Sequence, residues 1–240
     1  MGEEMSDTTR PMTESKQLTA RRGVFITFEG VEGCGKTTQT RLLTDRLAAA
    51  GIRTLLTREP GGAAISEQIR ALVLDMRNEG MEPLAEALLY EAARAQFVAQ
   101  IVRPALLAET VVICDRYTDS TLAYQGYGRG LHPETLETLN TIATAGIAPD
   151  ATVFVDVPVS VGLARRVRGG EWNRFDAAGQ AFHQRVYDGY HALAARNDAG
   201  RWHVVDGTAD EEAVAAAVWE ALASLLAKNN QVIHAIWGEA

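Results

Sequence analysis

Five short runs rich in β-branched and aromatic residues recur along the chain, and longer stretches between them carry apolar residues three or four positions apart. The short runs are typical of buried strands, and the wider spacing is typical of helices with one apolar face. The predicted strands are residues 24–28, 53–57, 111–115, 152–156 and 202–206. The predicted helices are residues 38–50, 65–75, 83–108, 133–145, 159–168, 180–196 and 210–228.

The order of these elements predicts the fold class. Strands that alternate with helices form a parallel sheet whose faces are covered by the helices, and the run 111–114 is apolar throughout, as expected for a strand buried on both faces. We therefore predict an α/β fold with a five-stranded parallel sheet flanked by helices on both faces. Ligands of such folds bind at the carboxyl ends of the strands. One crevice should thus be lined by residues 29–35, 58–62, 115–117, 156–158 and 206–208.

One domain accounts for most of the chain. Its 240 residues contain no internal repeat and no interdomain linker, and a single α/β domain reaches this length. We expect this domain to span residues 23–227. Residues 1–22 are polar, lack a signal-peptide segment and are expected to form a disordered extension, and residues 228–240 are expected to form a C-terminal tail.

Charge and composition argue against several classes of protein. The net charge of −8 disfavours a broad nucleic-acid surface, and the apolar stretch 213–227 is too short to span a membrane. Cys34 and Cys114 offer neither a disulfide framework nor metal-ligand spacing, which favours the reducing cytoplasm. We expect a cytoplasmic protein with no nucleic-acid and no membrane partner.

A glycine-rich loop lies between the first predicted strand and the first predicted helix. Residues 30–37 read Gly-Val-Glu-Gly-Cys-Gly-Lys-Thr, which matches the phosphate-binding pattern G-x-x-x-x-G-K-[ST]. Glycines let backbone N–H groups point at phosphate oxygens, and the helix N-terminus favours negative charge. Lys36 can reach the β- and γ-phosphates and Thr37 can hold Mg²⁺, which an ordinary glycine turn would not explain. The predicted phosphate-binding residues are Gly30, Val31, Glu32, Gly33, Cys34, Gly35, Lys36, Thr37 and Thr38.

The ends of two other strands carry groups suited to metal and phosphate. Asp115 ends the third strand, where we expect it beside Thr37 as a second contact for Mg²⁺, directly or through water; the alternative role is a turn cap. Arg58 follows the second strand and offers a planar fork suited to phosphate; the alternative is an exposed arginine in a surface turn. The Glu59–Pro60 bond can be cis, which the sequence does not decide.

Two more arginine-bearing segments suggest nucleotide chemistry. Residues 165–178 hold Arg165, Arg166, Arg168 and Arg174 around a Gly-Gly pair, which suggests a mobile basic lid over a transferring phosphoryl group; a solvated helix face is the alternative. Tyr90 and Arg94 stand four positions apart and share one helix face. They suit stacking on and hydrogen bonding to a nucleobase, although from these residues alone core packing of Tyr90 is favoured.

Several motifs occur in a fixed order along the chain. They are residues 28–39, residues 57–62 (Thr-Arg-Glu-Pro-Gly-Gly), residues 90–96 (Tyr-Glu-Ala-Ala-Arg-Ala-Gln), residues 115–117 (Asp-Arg-Tyr), residues 120–126, Pro149-Asp150 and residues 168–176. Together they resemble bacterial thymidylate kinases over roughly residues 22–227. The resemblance implies a P-loop NTPase-type fold, a homodimer, Mg²⁺, and transfer of the ATP γ-phosphoryl group to dTMP to give dTDP.

The resemblance also implies contacts for the phosphate and sugar of dTMP. Arg58 and Arg116 would bind the phosphate. Glu32 would hold the 3′-hydroxyl, and Tyr124 would crowd the 2′ position and so favour deoxyribose.

For the base, the resemblance implies that Tyr90 stacks on thymine while Arg94 and Gln125 contact its edge. This raises the base-binding role of Tyr90 above core packing. The complete implied dTMP-binding set is Glu32, Arg58, Tyr90, Arg94, Arg116, Ser120, Thr121, Tyr124 and Gln125.

Related enzymes carry a catalytic arginine either in the phosphate loop or in the lid. The loop here has no arginine, so the resemblance implies the lid type. The implied catalytic residues are Lys36, Arg58, Arg116, Arg168 and Arg174. The lid departs from the usual pattern, with Asn173 and Asp176 where relatives typically have Asp and Glu. Outside the lid, Ala63 stands where Thr or Ser is common. Which lid arginine touches ATP therefore stays open.

Three alternatives remain at the level of sequence. Another nucleoside monophosphate kinase or deoxynucleoside kinase would share the fold and differ in the base pocket. A regulatory GTP-binding switch would normally carry an Asn-Lys-x-Asp segment, which the sequence lacks. A nucleotide-binding protein without catalysis is disfavoured by the intact set of Lys36, Thr37, Asp115 and arginines.

Overall fold

The computed structural model describes residues 23–167, 173–197 and 199–228. The predicted extension 1–22 and most of the predicted tail lie outside these ranges, as does the middle of the predicted lid. Within the described residues the chain forms one five-stranded sheet. Its strands are β1 (Phe25–Glu29), β2 (Thr54–Arg58), β3 (Val111–Asp115), β4 (Ala151–Asp156) and β5 (Trp202–Asp206).

The sheet is parallel throughout and has the order β2-β3-β1-β4-β5. Each strand lies within one residue of its predicted bounds, and the prediction of a five-stranded parallel sheet is confirmed. β1 is central, because Phe28 pairs with Asp115 of β3 on one side and with Val153 of β4 on the other. The connection after β1 leads to one side of the sheet and the connection after β4 to the other, so the loop after β1 lies at the crevice where such sheets bind ligands.

The helices connect these strands. They are α1 (Lys36–Ala49), α2 (Ala64–Leu74), α3 (Pro83–Phe97), α4 (Arg103–Leu107), α5 (Thr118–Thr121), α6 (Pro133–Thr144), α7 (Val159–Val167), α8 (Gln180–Arg196) and α9 (Glu211–Ala227). The predicted helix 83–108 is continuous, but its middle, Val98–Val102, is a π-helical segment between α3 and α4. A second π-helical segment, Leu122–Gly128, extends α5 and was not predicted. None of the helices among the described residues is long and apolar enough to cross a membrane.

Alternate residues of the strands supply the cores on the two faces of the sheet. Phe25 packs in a cluster with Phe97 and Leu106, whereas the next residue, Ile26, packs with Leu43 and Leu47 of α1. Successive strand residues point to opposite faces, so each face needs its own helical cover. The fully buried β1 is thereby fixed from both sides, and it holds the following loop in place.

The starts of α1 and α9 illustrate two different uses of a helix N-terminus. Asp210 caps α9, because its Oδ1 accepts a hydrogen bond from the backbone N–H of Ala213 at 2.8 Å. The residue before α1 is Gly35, with φ of 102°, and it offers no side-chain cap. The first N–H groups of α1 are therefore left to the loop and to an anion.

Candidate active site

Two adjoining cavities open at the carboxyl end of the sheet. The larger, here the loop cavity, has a volume of about 790 Å³ and is lined by residues 32–39 together with residues that follow β2, β3 and β5. The smaller, here the aromatic cavity, has a volume of about 100 Å³ and is lined by Tyr90, Tyr124 and Phe175 among others. Five residues line both cavities, and they are Glu32, Glu59, Arg70, Arg116 and Asn173. Ligands in the two cavities would meet at Arg70 and Arg116.

The phosphate loop has the compact form that the motif predicts. The Lys36 ammonium donates to the backbone oxygens of Gly30 at 3.1 Å and Val31 at 3.0 Å, so it lies within the curve of the loop. Gly33 has φ of 71°, and a Cβ added there would lie 2.0 Å from the backbone oxygen of Gly162 in α7. The loop and the first helix of the lid region therefore touch through their backbones.

Thr37 and Asp115 meet as predicted from the strand order. The Thr37 hydroxyl donates to Asp115 Oδ2 at 2.9 Å, and both residues line the loop cavity. Among the described residues, no cluster of three or more His, Cys, Asp or Glu side chains is arranged to hold a metal ion. A hydroxyl and a carboxylate are oxygen ligands that suit Mg²⁺, which is commonly held by one or two protein groups plus substrate phosphates. The pair therefore fits Mg²⁺ accompanied by a nucleotide.

Arg116 is the centre of the boundary between the cavities. Its Nη2 donates to Glu32 Oε1 at 3.0 Å and to the Tyr124 hydroxyl at 2.9 Å. The Tyr124 hydroxyl in turn donates to Glu32 Oε1 at 2.9 Å. Burial alone would raise the pKa of Glu32, but Arg116 and Lys36 outweigh it and lower that pKa to about 2. Three of the predicted dTMP-binding residues thus form one charged cluster.

Two more arginines approach the loop cavity from the segment after β2. Arg58 is exposed and donates from Nη2 to both carboxylate oxygens of Glu67, at 3.0 and 3.1 Å. The sequence did not predict Arg70, which lines both cavities and donates to the backbone oxygen of Pro60 at 2.9 Å. Burial, with Arg58 nearby, lowers the pKa of Arg70. An anion would relieve the repulsion between these two cations. The Glu59–Pro60 bond that joins the segments is cis.

Arg94 is held in a buried network behind the aromatic cavity. It is 1% exposed, and its Nε donates to the Glu59 carboxylate at 2.8 and 3.0 Å. Its Nη1 donates to Glu91, Thr121 and Asn140 at 2.5, 2.9 and 2.6 Å. All of these hydrogen bonds are accepted by protein groups, so the Arg94 side chain is held rigidly. Arg94 lines the aromatic cavity and gives it a fixed wall.

The other predicted base-binding residues also line the aromatic cavity. Tyr90 is half-buried, and its ring meets that of Phe175 edge to face with centroids 6.3 Å apart. Gln125 is buried, and its Nε2 donates to Glu86 Oε1 at 2.8 Å. Ser120 and Thr121 complete the predicted set at this cavity. Only Arg58 of the predicted dTMP-binding residues lines the loop cavity alone.

The predicted lid arginines occupy different places. Arg165 and Arg166 line the loop cavity, and Arg166 pairs with Asp176 at 2.9 Å. Arg168 lies outside the described residues. Arg174 lines neither of the two cavities. It is buried and pairs with Glu86 at 2.5 Å, because that fully buried carboxylate of α3 requires a cation. Its catalytic role therefore stays a prediction.

The crevice expected at all five strand ends forms at four of them. Residues after β1, β2, β3 and β5 line the loop cavity, whereas residues 156–158 after β4 do not. Val157 packs into the hydrophobic core. Asp156 instead pairs with His191 Nε2 at 3.2 Å. The segment after β4 contributes through α7, which brings Arg165 and Arg166 to the cavity.

The chain is similar to known proteins of one family. The family model described as thymidylate kinase matches residues 28–218. The thymidylate kinase of Geotalea daltonii is 49% identical over 214 residues, which cover 86% of this chain and 100% of that protein. That of Thermomicrobium roseum is 51% identical over 208 residues, which cover 86% of this chain and 98% of that protein.

A solved structure extends the likeness to the fold. The crystal structure of thymidylate kinase from Ehrlichia chaffeensis superposes with a TM-score of 0.70 at 34% identity. The match covers 84% of this chain and 99% of that one. The sequence motifs, the parallel sheet and these comparisons lead to one conclusion. The chain belongs to the thymidylate kinase family.

Proposed function

We propose that this protein transfers the γ-phosphoryl group of ATP to dTMP and so forms dTDP and ADP. The observation that carries the proposal is the junction of the two cavities at Arg70 and Arg116. A phosphate loop lines one cavity, and aromatic and hydrogen-bonding side chains line the other. This arrangement suits a triphosphate donor and a monophosphate acceptor whose phosphates meet between them.

The donor phosphates would bind the loop amides and Lys36. The acceptor phosphate would bind Arg58, Arg70 and Arg116, and it needs no side-chain base because it is already an oxyanion. Catalysis would then consist mainly of positioning two anions and neutralising their charge.

Mg²⁺ would be held by Thr37 and Asp115, with the nucleotide phosphates as further ligands. When bound, it would neutralise charge on the donor phosphates. The 2.9 Å bond between the Thr37 hydroxyl and Asp115 supports this site, since both oxygens already converge on one point.

The aromatic cavity would bind thymidine. Tyr90 would stack on the base, with Arg94 and Gln125 at its edge and Ser120 and Thr121 beside it. Glu32 and Tyr124 would recognise the sugar. The Glu32 carboxylate would accept a hydrogen bond from the 3′-hydroxyl, and the Tyr124 ring would crowd a 2′-hydroxyl. The burial of Arg94 and Gln125 and their bonds to protein groups support selectivity by shape, because the pocket wall that they form is rigid.

The lid would supply charge to the transferring group. Arg165 and Arg166 are the described lid arginines suited to this role, since both line the loop cavity on the helix that touches Gly33. Arg168 remains a proposed catalytic residue. For Arg174, the ion pair with Glu86 supports an indirect role in which it anchors the lid to α3.

We further propose a single kinase domain that acts as a homodimer in the cytoplasm, without a nucleic-acid or membrane partner. The net charge of −8 supports the absence of nucleic acid. The free thiols of Cys34 and Cys114 support a reducing compartment.

The reaction is tested by following label from γ-labelled ATP in the presence of Mg²⁺. We expect the label in dTDP when dTMP is the acceptor, no transfer to thymidine, and loss of at least about 100-fold in rate for Lys36→Ala. Label released only as inorganic phosphate, or transfer that survives Lys36→Ala unchanged, would contradict the proposed reaction.

A further inference from the structure

A buried carboxylate that the proposed chemistry does not use lies directly behind Arg116. Glu29 is the last residue of β1 and is 0% exposed. Its Oε1 accepts the backbone N–H of Tyr117 at 2.8 Å. Its Oε2 accepts the hydroxyls of Ser120 at 2.6 Å and Tyr190 at 2.8 Å. Three donors from β3–α5 and α8 thus converge on one side chain.

The two hydroxyls also contact Arg116. Arg116 Nη1 donates to the oxygens of Ser120 at 3.2 Å and Tyr190 at 3.0 Å, and these two oxygens lie 2.9 Å apart. Each hydroxyl has a single proton. When that proton turns towards the carboxylate, the oxygen presents its lone pairs to the guanidinium. Burial and Glu29 together raise the pKa of Tyr190, so the phenol retains the proton that it donates.

The backbone of Arg116 makes this support necessary. Its φ is 73°, in the left-handed region that residues other than glycine rarely adopt. Hydrogen bonds from neighbouring residues must outweigh the backbone strain at Arg116. Glu29 contributes on both sides of the residue, through the N–H of Tyr117 and through the hydroxyls that hold Nη1. Glu32 and Tyr124 hold the other nitrogen, Nη2.

We propose that Glu29 is a positioning residue for dTMP turnover, which orients the Ser120 and Tyr190 protons so that both oxygens hold the Arg116 guanidinium at the boundary of the two cavities. The inference rests on the proposed function. Glu29 would touch no substrate and would act only through Arg116.

The first test is Glu29→Gln. An amide has one acceptor oxygen, so it cannot serve both the Tyr117 N–H and the two hydroxyls, and its NH₂ group would turn a hydroxyl proton towards Arg116. We expect kcat/KM for dTMP to fall about 10- to 100-fold, while the KM for ATP stays within about twofold. Unchanged dTMP kinetics, or an equal loss in the parameters of both substrates, would overturn the inference.

A double-variant cycle distinguishes a loss of hydroxyl orientation at Arg116 from a general disturbance of the fold. Tyr190→Phe removes one acceptor of Arg116 Nη1, and we expect it to lower kcat/KM for dTMP by itself. Because both changes act on the same bonds, Glu29→Gln with Tyr190→Phe should cost little more than the larger single loss. Losses that multiply would show that Glu29 acts elsewhere and would overturn the inference.

A matched control and a second variant pair complete the design. Asp150 accepts the N–H of Phe25 at the opposite end of β1, so Asp150→Asn changes the same type of group and should leave dTMP kinetics unchanged. If Glu29→Gln does not fold, Ser120→Ala with Tyr190→Phe must reproduce the dTMP-specific loss, and its absence would overturn the inference. The wild-type rate separates the two proposals: no dTMP turnover contradicts the function, whereas turnover that is insensitive to these changes contradicts only the role of Glu29.

Discussion

At the scale of single residues, the pKa values of Glu29 and Glu32, which lie three positions apart in the chain, are shifted in opposite directions. Arg116 and Lys36 lower the pKa of Glu32 to about 2, although burial alone would raise it. Burial, with Asp119 nearby, raises the pKa of Glu29 to about 7, against the opposing effect of Arg116. The cluster around Arg116 therefore holds one carboxylate that is charged at any physiological pH and another that can gain a proton near neutrality.

This difference predicts a pH dependence of stability. The native pKa of Glu29 lies above the unfolded value of 4.5, so its contribution is fully present below about pH 4.5 and is lost as pH rises through about 7. Glu29→Gln should remove part of the fall in unfolding free energy between pH 5 and pH 8, on the order of a few kcal/mol. Urea denaturation of both proteins at several pH values measures it, and parallel curves would contradict it.

Arg70 yields a prediction about binding. It lines both cavities and lies near Arg58, so a phosphate there would be held by two cations. Arg70→Ala should lower kcat/KM for dTMP about 10- to 100-fold with little change in the KM for ATP. Arg41→Ala, on the exposed side of α1, is the matched control. Equal kinetics of the two variants would exclude Arg70 from the acceptor site.

The sequence predicts some of these residues better than others, for a physical reason. Lys36 and Thr37 belong to a loop whose spacing is dictated by phosphate, and Asp115 follows from strand order. Arg70 lies on a helix, where an arginine usually faces solvent, and no spacing distinguishes one that lines a cavity. Tyr190 reaches Glu29 across 161 positions of the chain, a pairing that only the fold reveals.

At the scale of elements, the lid is joined to the phosphate loop by a close backbone contact. A Cβ on Gly162 of α7 would lie 2.4 Å from the backbone oxygen of Glu32. The backbone of α7 at Gly162 therefore cannot come closer to the loop, and this contact fixes the position of the helix that carries Arg165 and Arg166.

Gly162→Ala tests this contact. Alanine favours a helix over glycine by about 1 kcal/mol, so propensity alone predicts a neutral or stabilising change. The clash instead predicts a fall in kcat of about tenfold or more as the lid arginines shift. Gly80→Ala, at a glycine with open space around it, is the control. Wild-type kcat for Gly162→Ala would show that the lid does not depend on this approach.

The strands could be predicted from the sequence, whereas the helical segment 118–128 could not. Strand bounds follow from apolar runs, and all five fall within one residue of prediction. The segment 118–128 was not assigned to a helix, because its polar, glycine-containing sequence lacks helical spacing. Its helix holds because buried Gln125 bonds to Glu86 and Tyr124 bonds to Glu32 and Arg116. Those long-range bonds have no local signature.

At the scale of the whole molecule, an acidic protein surrounds a basic site. The net charge is −8, yet the loop cavity is lined by Lys36 and five arginines. Cations gathered in a cleft focus the local field and attract anionic ligands despite the overall charge. The composition therefore disfavours nucleic acid while remaining compatible with nucleotide substrates.

The proposed homodimer makes a further prediction at this scale. Ile65 and Leu72 of α2 and Leu84 and Leu88 of α3 are 45% to 51% exposed on two helices that pack together. We expect sedimentation at about twice the chain mass of 26.0 kDa, and a monomer for Leu84→Glu with Leu88→Glu. Leu107→Glu, at an exposed leucine of α4, should remain dimeric. A wild-type monomer at micromolar concentration would contradict the dimer.

A competition among acceptors at fixed ATP and Mg²⁺ tests the proposed reaction and the proposed base pocket together. Diphosphate formation would be measured with dTMP, dUMP, dGMP, dCMP and AMP present together. The proposed base pocket around Tyr90, Arg94 and Gln125 predicts that dTDP is the main product by a factor of at least about 10. Preferred turnover of another monophosphate would contradict the roles given to these residues, and no diphosphate at all, with ATP still bound, would contradict the proposed kinase activity.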